Sequence, residues 1–231
     1  MGIEKYLNQL EIFSGIHSKT IEKLGKIGKI QDISKGTLLM RARESVEFVY
    51  FQVTGKSVIY NLTHGGKRKI LFIFGEGALL NEHIFNNHTS SIYCEVMEQS
   101  KVLVFSVQDF MSVMAEDFEL TKKVMEAQER KIWRLSHQLK NTTSSIYLER
   151  KLAAKLWKLS RDFGVEKEDG IEIDIDMTIT FLADMLGVPR ETTSRVCSTL
   201  TEVGLIRMNK RRIMIADPKK MAYFFKTGKL E

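Results

Sequence analysis

Between Gly187 and Leu200 the sequence reads GVPRETTSRVCSTL, and within it Arg190, Glu191, Ser194 and Arg195 recur at steps of one, three and four residues. On a helix that starts near Pro189 or Arg190, these four side chains share the first turn and a half, while Val196 and Leu200 turn inward. Proline suits such a start because its missing N–H would lack an intrahelical partner anyway. A guanidinium can bond O6 and N7 of guanine together, and a carboxylate can accept from N4 of cytosine, so the set has the chemistry to read base edges in a major groove. A glutamate would be repelled by phosphates, which favours base reading over simple charge attraction. For a lone RExxxR, an exposed Glu/Arg pair is the competing explanation, and the flanking elements have to decide.

The charge distribution points the same way. Residues 186–231 carry 10 Lys/Arg against 4 Asp/Glu, residues 144–185 carry 6 against 9, and residues 1–143 carry 19 against 16, so the formal surplus of +6 is generated at the C-terminal end. A basic cluster can be a solubilising face; beginning where it does, it suits a phosphate-rich partner. At 231 residues there is room for one large domain or two ordinary ones. No run of eighteen apolar residues is present and Met1–Leu10 lacks an apolar signal stretch, so a cytoplasmic protein without membrane contact is expected. Cys94 and Cys197 stand far apart with no CxxC spacing, against a disulfide framework, a four-cysteine metal site or an iron–sulfur cluster.

The elements that would position the basic stretch follow from periodicity. Residues 3–28 read as two or three short helices, broken at Ser14 and Gly15. From Lys35 to about Phe105, short runs rich in Val, Ile, Phe and Tyr alternate with glycines. Val46–Val53, Val58–Leu62 and Lys69–Phe74 read as strands, with HGGK as a hairpin turn, the pattern of a sandwich or small barrel. One long helix is predicted over about 109–140, with Leu120, Val124, Ala127, Ile132, Leu135 and Leu139 as its apolar stripe. That stripe suits packing on its own domain or a dimer seam. NTTSS at 141–145 should interrupt it, dividing the chain into 1–143 and 144–231. Beyond lie a helix through Leu152, Leu156, Leu159 and Phe163, the acidic strand IEIDIDM, a helix capped by Thr178, a turn, and a second helix ended by Gly204. LIRM and IMIAD then form a hairpin about NKRR. Helix, glycine turn, helix and basic hairpin make a winged helix-turn-helix.

LADMLGVPRETTSRVCSTLTEVGLI resembles, nearly position by position, the DNA-binding signature of the Crp/Fnr family, the transcription regulators named for the cyclic-AMP receptor protein and the fumarate-nitrate reduction regulator. NQLEIFSGI, SKGTLL, VYFQVTGKSVIYN and GEGALLNEHIF resemble its N-terminal half, so the resemblance covers the whole chain. It implies an α+β architecture: a cyclic-nucleotide-binding-like β-roll, a long dimerisation helix and a C-terminal winged helix-turn-helix. The implied partners are a second copy of the chain, RNA polymerase and a palindrome in double-stranded DNA. Arg190, Glu191 and Arg195 match the residues that read a TGTGA-type half-site, and Glu191, Ser194 and Arg195 match the ExxSR set that reads a TTGAT-type one. Thr178, Thr192, Thr193, Lys210, Arg211 and Arg212 are expected on the DNA backbone.

In the family's ligand cassette a glutamate holds the ribose and an Arg-Ser pair holds the cyclic phosphate. Here Glu82 fits the first position, but Ser90-Ser91 stand where the pair would be. A phosphodiester without its cation loses a charge-assisted bond of roughly 1.5–3 kcal/mol, so cyclic AMP is disfavoured and the effector is left unnamed, with haem still open. Trp133, Leu135 and Ser136 would fall by the effector, giving a more apolar pocket together with Glu82, Ser90 and Ser91, or would serve in the helix pair instead. His83 and His88 are too weakly spaced to predict a metal site. Cys197 beside Val196 reads as a packing residue. No nucleotide-binding loop, nucleophile elbow or zinc motif supports an enzyme. A ligand sensor acting through protein partners remains the alternative to a DNA-binding regulator.

Overall fold

The computed structural model describes residues 2–85, 89–143 and 147–230. They divide into two compact units, one of Met1–Asn61 with Leu71–Ser136, the other of Leu62–Ile70 with His137–Glu231. The first unit opens with α1 (Glu4–Gln9), a 3-10 turn (Glu11–Phe13) and α2 (Ser18–Ile27). Strands β1 (Lys29–Ile33), β2 (Leu38–Met40), β3 (Phe48–Thr54), β4 (Ser57–Leu62), β5 (Arg68–Phe74), β6 (Tyr93–Val96) and β7 (Ser100–Ser106) then form two sheets, in the orders β1-β7-β3 and β2-β6-β4-β5. The β4–β5 connection turns at HGGK as expected: Thr63 donates its N–H to the Lys67 carbonyl at 2.9 Å, and Gly66 takes φ 71°.

Between the sheet β1-β7-β3 and the helices sits a phenylalanine core. Phe51 and Phe13 are 5.0 Å apart between ring centroids, Phe51 and Phe110 5.6 Å, and Phe105 and Phe110 5.0 Å, and none of the four is more than 3% exposed. Truncating one such ring to alanine costs about 3–5 kcal/mol.

The single long helix expected over 109–140 is two helices, α3 (Val107–Glu116) and α4 (Phe118–Thr143). Asp117 separates them at φ −131°, ψ 106°. Its carboxylate accepts from the Thr20 hydroxyl on α2 at 2.5 Å and from the Leu120 N–H at 3.1 Å, bonds that hold its pKa below the usual range and cap α4. At the other end α4 continues through Asn141, Thr142 and Thr143, so the interruption expected at NTTSS does not begin there. Ser144 and Ser145 lie outside the described residues.

In the second unit α5 (Leu148–Phe163) buries Leu152, Ala153, Leu156 and Leu159. β8 (Gly164–Lys167) and β9 (Gly170–Ile173) follow, then α6 (Ile179–Leu186), α7 (Arg190–Glu202), β10 (Ile206–Asn209), β11 (Arg212–Ile215) and α8 (Pro218–Thr227), with the sheet ordered β10-β11-β9-β8. Neither β8 nor α8 was anticipated. Asp217 caps α8 by accepting from the N–H groups of Lys219 at 2.8 Å and Lys220 at 3.1 Å. The helix returns to α5, where Trp157 meets Phe225 at 5.4 Å and Arg150 Nε donates to the Phe225 carbonyl at 3.0 Å.

Candidate nucleic-acid interface and effector pocket

Thr178 starts α6 by accepting the Phe181 N–H at 3.1 Å; losing such a cap costs about 1 kcal/mol. Gly187 ends that helix at φ 76°, a left-handed conformation in which a β-carbon would be strained, and its N–H donates to the Ala183 carbonyl at 2.7 Å. Two residues later α7 begins at Arg190, with Pro189 as its N-cap residue. Arg190, Glu191, Ser194 and Arg195 are all exposed, whereas Thr193, Val196, Cys197 and Leu200 are at most 3% exposed. The polar face and the packed face of this helix are therefore cleanly separated. Burial lifts the Cys197 thiol to about 11 and keeps it protonated.

Two of the side chains expected on the DNA backbone, Thr193 and Arg212, are engaged within the protein. Thr193 cannot reach a phosphate in this arrangement: it is fully buried, and its hydroxyl donates to the Pro189 carbonyl at 3.1 Å. Thr192 stays half-buried at the surface. On the β10–β11 hairpin, Lys210 and Arg211 are exposed at the turn, with Lys210 at φ 54°, but Arg212 is bound to acids, 2.6 Å from Asp174 and 3.3 Å from Asp176. The acidic segment IEIDIDM is strand only as far as Ile173, the end of β9, and the carboxylates that follow it neutralise one of the three cations assigned to the wing.

Of the residues that the resemblance places by the effector, Glu82, Ser90 and Ser91 come together in the first unit. Glu82 accepts from the Ser90 hydroxyl at 3.1 Å, from the Ser91 hydroxyl at 2.6 Å and from the Ser91 N–H, and His83 Nδ1 lies 3.5 Å away. The carboxylate is taken up by its own loop. His88 lies outside the described residues, among which no group of three or more His, Cys, Asp or Glu side chains could hold a metal ion.

α4 has two distinct faces. Leu120, Val124 and Ala127 pack into the core, and the inward stripe continues to Lys131 and Arg134, not to the apolar residues expected there. Lys131 donates to the Asn81 carbonyl, which also accepts from Gln128 Nε2 at 3.2 Å, and its ammonium lies 5.4 Å from the Phe74 ring. Burial pulls its pKa down to about 7. The opposite face shows Phe118, Met125, Ile132 and Leu139, seven residues apart and 50–75% exposed, with Leu135 at 43%. Trp133 and Ser136 are exposed too, and Trp133 lines a groove of about 320 Å³ with Glu126, Glu129 and Arg130.

Residues 150–224 match the Crp-like helix-turn-helix domain, and residues 30–117 match the cyclic nucleotide-binding domain. The chain belongs to the Crp/Fnr family. Among its relatives, the CRP-like cAMP-activated global transcriptional regulator of Mycobacterium tuberculosis is 21% identical over 95% of this chain and 98% of its own length. The anaerobic regulatory protein of Bacillus subtilis is 27% identical over 84% and 82%. A putative Crp/Fnr regulator from Eubacterium rectale superposes with a TM-score of 0.76 at 14% identity, covering 95% of this chain and all of that one, and so supports the fold.

As a Crp/Fnr-type transcription regulator, the chain combines an effector domain with a helix-turn-helix DNA-binding domain. Among the described residues no helix is long and apolar enough to cross a membrane. Lys131 and Arg134 are the residues that sequence reasoning missed in the effector half. The signal was present: both extend the 120–124–127 spacing of the inward face, one and two turns on.

Proposed function

We propose that this Crp/Fnr regulator binds a palindromic DNA site as a cytoplasmic homodimer, with 1–143 as effector sensor and 144–231 as reader. Arg190, Glu191, Ser194 and Arg195 read a TGTGA- or TTGAT-like half-site, while Lys210, Arg211 and Thr192 hold phosphates. The observation that carries this is the exposure of all four base-reading groups on the first turn and a half of a helix whose other face is sealed. The seven-residue spacing of Phe118, Met125, Ile132 and Leu139 supports α4 as the seam between two chains, because an exposed heptad stripe buries itself against a copy of the same helix. RNA polymerase is the expected further partner.

The effector differs from the cyclic AMP named for the mycobacterial relative. The cassette loop of this chain offers serines where that ligand's phosphate requires a cation, and Glu82 already satisfies those serines. A gel shift with a TGTGA/TCACA palindrome and a scrambled duplex tests the reading. Sequence-dependent retention is expected; equal retention of both duplexes would favour a sensor acting through protein partners.

A further inference from the structure

The second unit carries two charged patches of opposite sign outside its reading helix. α8 buries Met221 and sets Phe225 against Trp157 of α5, while its other side presents Lys219 and Lys226 with half-buried Tyr223 between them, at steps of four and three residues. Lys220 flanks this face and Lys229 follows it; all four lysines are exposed, and among the described residues none of them forms an ion pair. Residues 217–230 hold one acid against these four, Asp217, which is taken up as the cap of α8. The β8–β9 hairpin is the reverse, with Glu166, Glu168, Asp169 and Glu172 against Lys167. Asp169 holds Arg207 at 2.9 Å, whereas Glu166 and Glu168 are exposed and form no ion pair among the described residues. Each patch thus has an excess of three charges, of opposite sign. Each also shows an apolar residue, Val165 at 45% exposure on the hairpin and Leu230 at 52% beyond α8. β8 is the last strand of its sheet, so its outer edge has no strand beside it.

A duplex does not suit the lysine face, because α8 starts just past Ile215, at the end of β11 away from the exposed Lys210-Arg211 turn. We infer that the lysine face of α8 on one dimer docks on the β8–β9 hairpin of a neighbouring dimer, so that regulators on adjacent palindromes bind cooperatively. The inference rests on the reading of α7 as a DNA reader and adds a partner, a second copy of this chain, for surfaces that reading leaves unused. Within one chain no ion pair joins the two patches among the described residues, and a patch of like charges is relieved by a covering of opposite sign. Because every copy carries both patches, the contact is head-to-tail and extends along a row of sites. Exposed ion pairs are individually weak and screened by salt, so a few of them do not hold free dimers together. Two dimers side by side on one duplex meet at a far higher effective concentration, where the same pairs suffice.

The test uses the full chain, with every variant checked for native circular dichroism. Static light scattering should show a weak attraction between molecules at about 20 mM salt that vanishes at about 300 mM. The triple variant Lys219→Glu, Lys220→Glu, Lys226→Glu should lose that attraction although it cancels the net charge of +6, a change that on net charge alone would favour association. Glu166→Lys with Glu168→Lys should lose it as well, and the chain carrying all five reversals should regain it. On a duplex with two TGTGA/TCACA palindromes centred about 42 base pairs apart, the doubly bound species should exceed independent binding about fivefold, or about 1 kcal/mol. Either patch variant should bring that excess below about twofold, and the five reversals together should restore it. An unmodified chain without salt-sensitive attraction, an attraction surviving in both patch variants, or no recovery in the combined chain overturns the inference. Gel shifts on a single palindrome separate the two levels: patch-dependent attraction without sequence-dependent retention overturns the regulator reading alone. Retention without patch-dependent attraction overturns the docking contact alone.

Discussion

The reading helix α7 and the inner face of α4 both carry charged side chains at helical spacing, yet they hold them in opposite ways. On α7 the charges stand in water beside a sealed apolar face, where a long guanidinium costs little to keep exposed and is available to any duplex that approaches. On α4, Lys131 is largely covered, bound to a carbonyl and set over a ring, so any group that pairs with it has to replace those contacts. Recognition of a large polyanion calls for the first arrangement; discrimination among small molecules calls for the second, because desolvation penalises every wrong partner.

The largest effect is expected at the packed side of α7. Leu200→Ala should cost about 2–5 kcal/mol in denaturant unfolding and abolish DNA retention through loss of the helix itself. Arg195→Ala should instead leave unfolding within about 0.5 kcal/mol of the parent and remove roughly 1–3 kcal/mol of base discrimination in a binding-site selection. If both variants melt alike, the two faces are not separate. For α4, the folded chain binds the Lys131 proton less tightly than the unfolded chain does, since its pKa falls to about 7. Stability should therefore rise between about pH 7 and 9, by at most about 1.4 kcal/mol per unit from this group, and Lys131→Met should remove that share while the share of Lys155, lowered to about 8 by burial, remains. Cys94 and Cys197 stay protonated in the folded chain throughout this window, pushed up to about 12 and about 11. The smallest effect belongs to the wing. Lys210→Gln and Arg211→Gln should each lower the salt slope of DNA binding by about one, while Arg212→Gln should leave it nearly unchanged because Asp174 and Asp176 already neutralise that cation.

The reader was legible because its helix alternates polar and apolar residues with a clear period and its caps are spelled out by Thr178, Gly187 and Gly204. The Crp/Fnr signature added the base-reading roles by resemblance. Strand β8 was not legible: all four residues of GVEK are exposed, so no alternation marks it. For α8 the Asp217-Pro218 pair offered a start signal that went unused. The break at Asp117 depends on Thr20, 97 residues away in sequence, which no local window contains. Lys131 escaped for a related reason. A periodic reading seeks apolar residues, so it passed from Ala127 to Ile132 and skipped the cation that occupies the inward position.

Each compact unit encloses one sulfhydryl, Cys94 in the first and Cys197 in the second, and both are at most 2% exposed. A thiol-specific label can reach either only when its surroundings open, so the rate of modification at each position times the breathing of one unit without any engineered probe. Ligand and DNA can then be added separately, and mass spectrometry of the two labelled peptides would show which half of the molecule each one quiets.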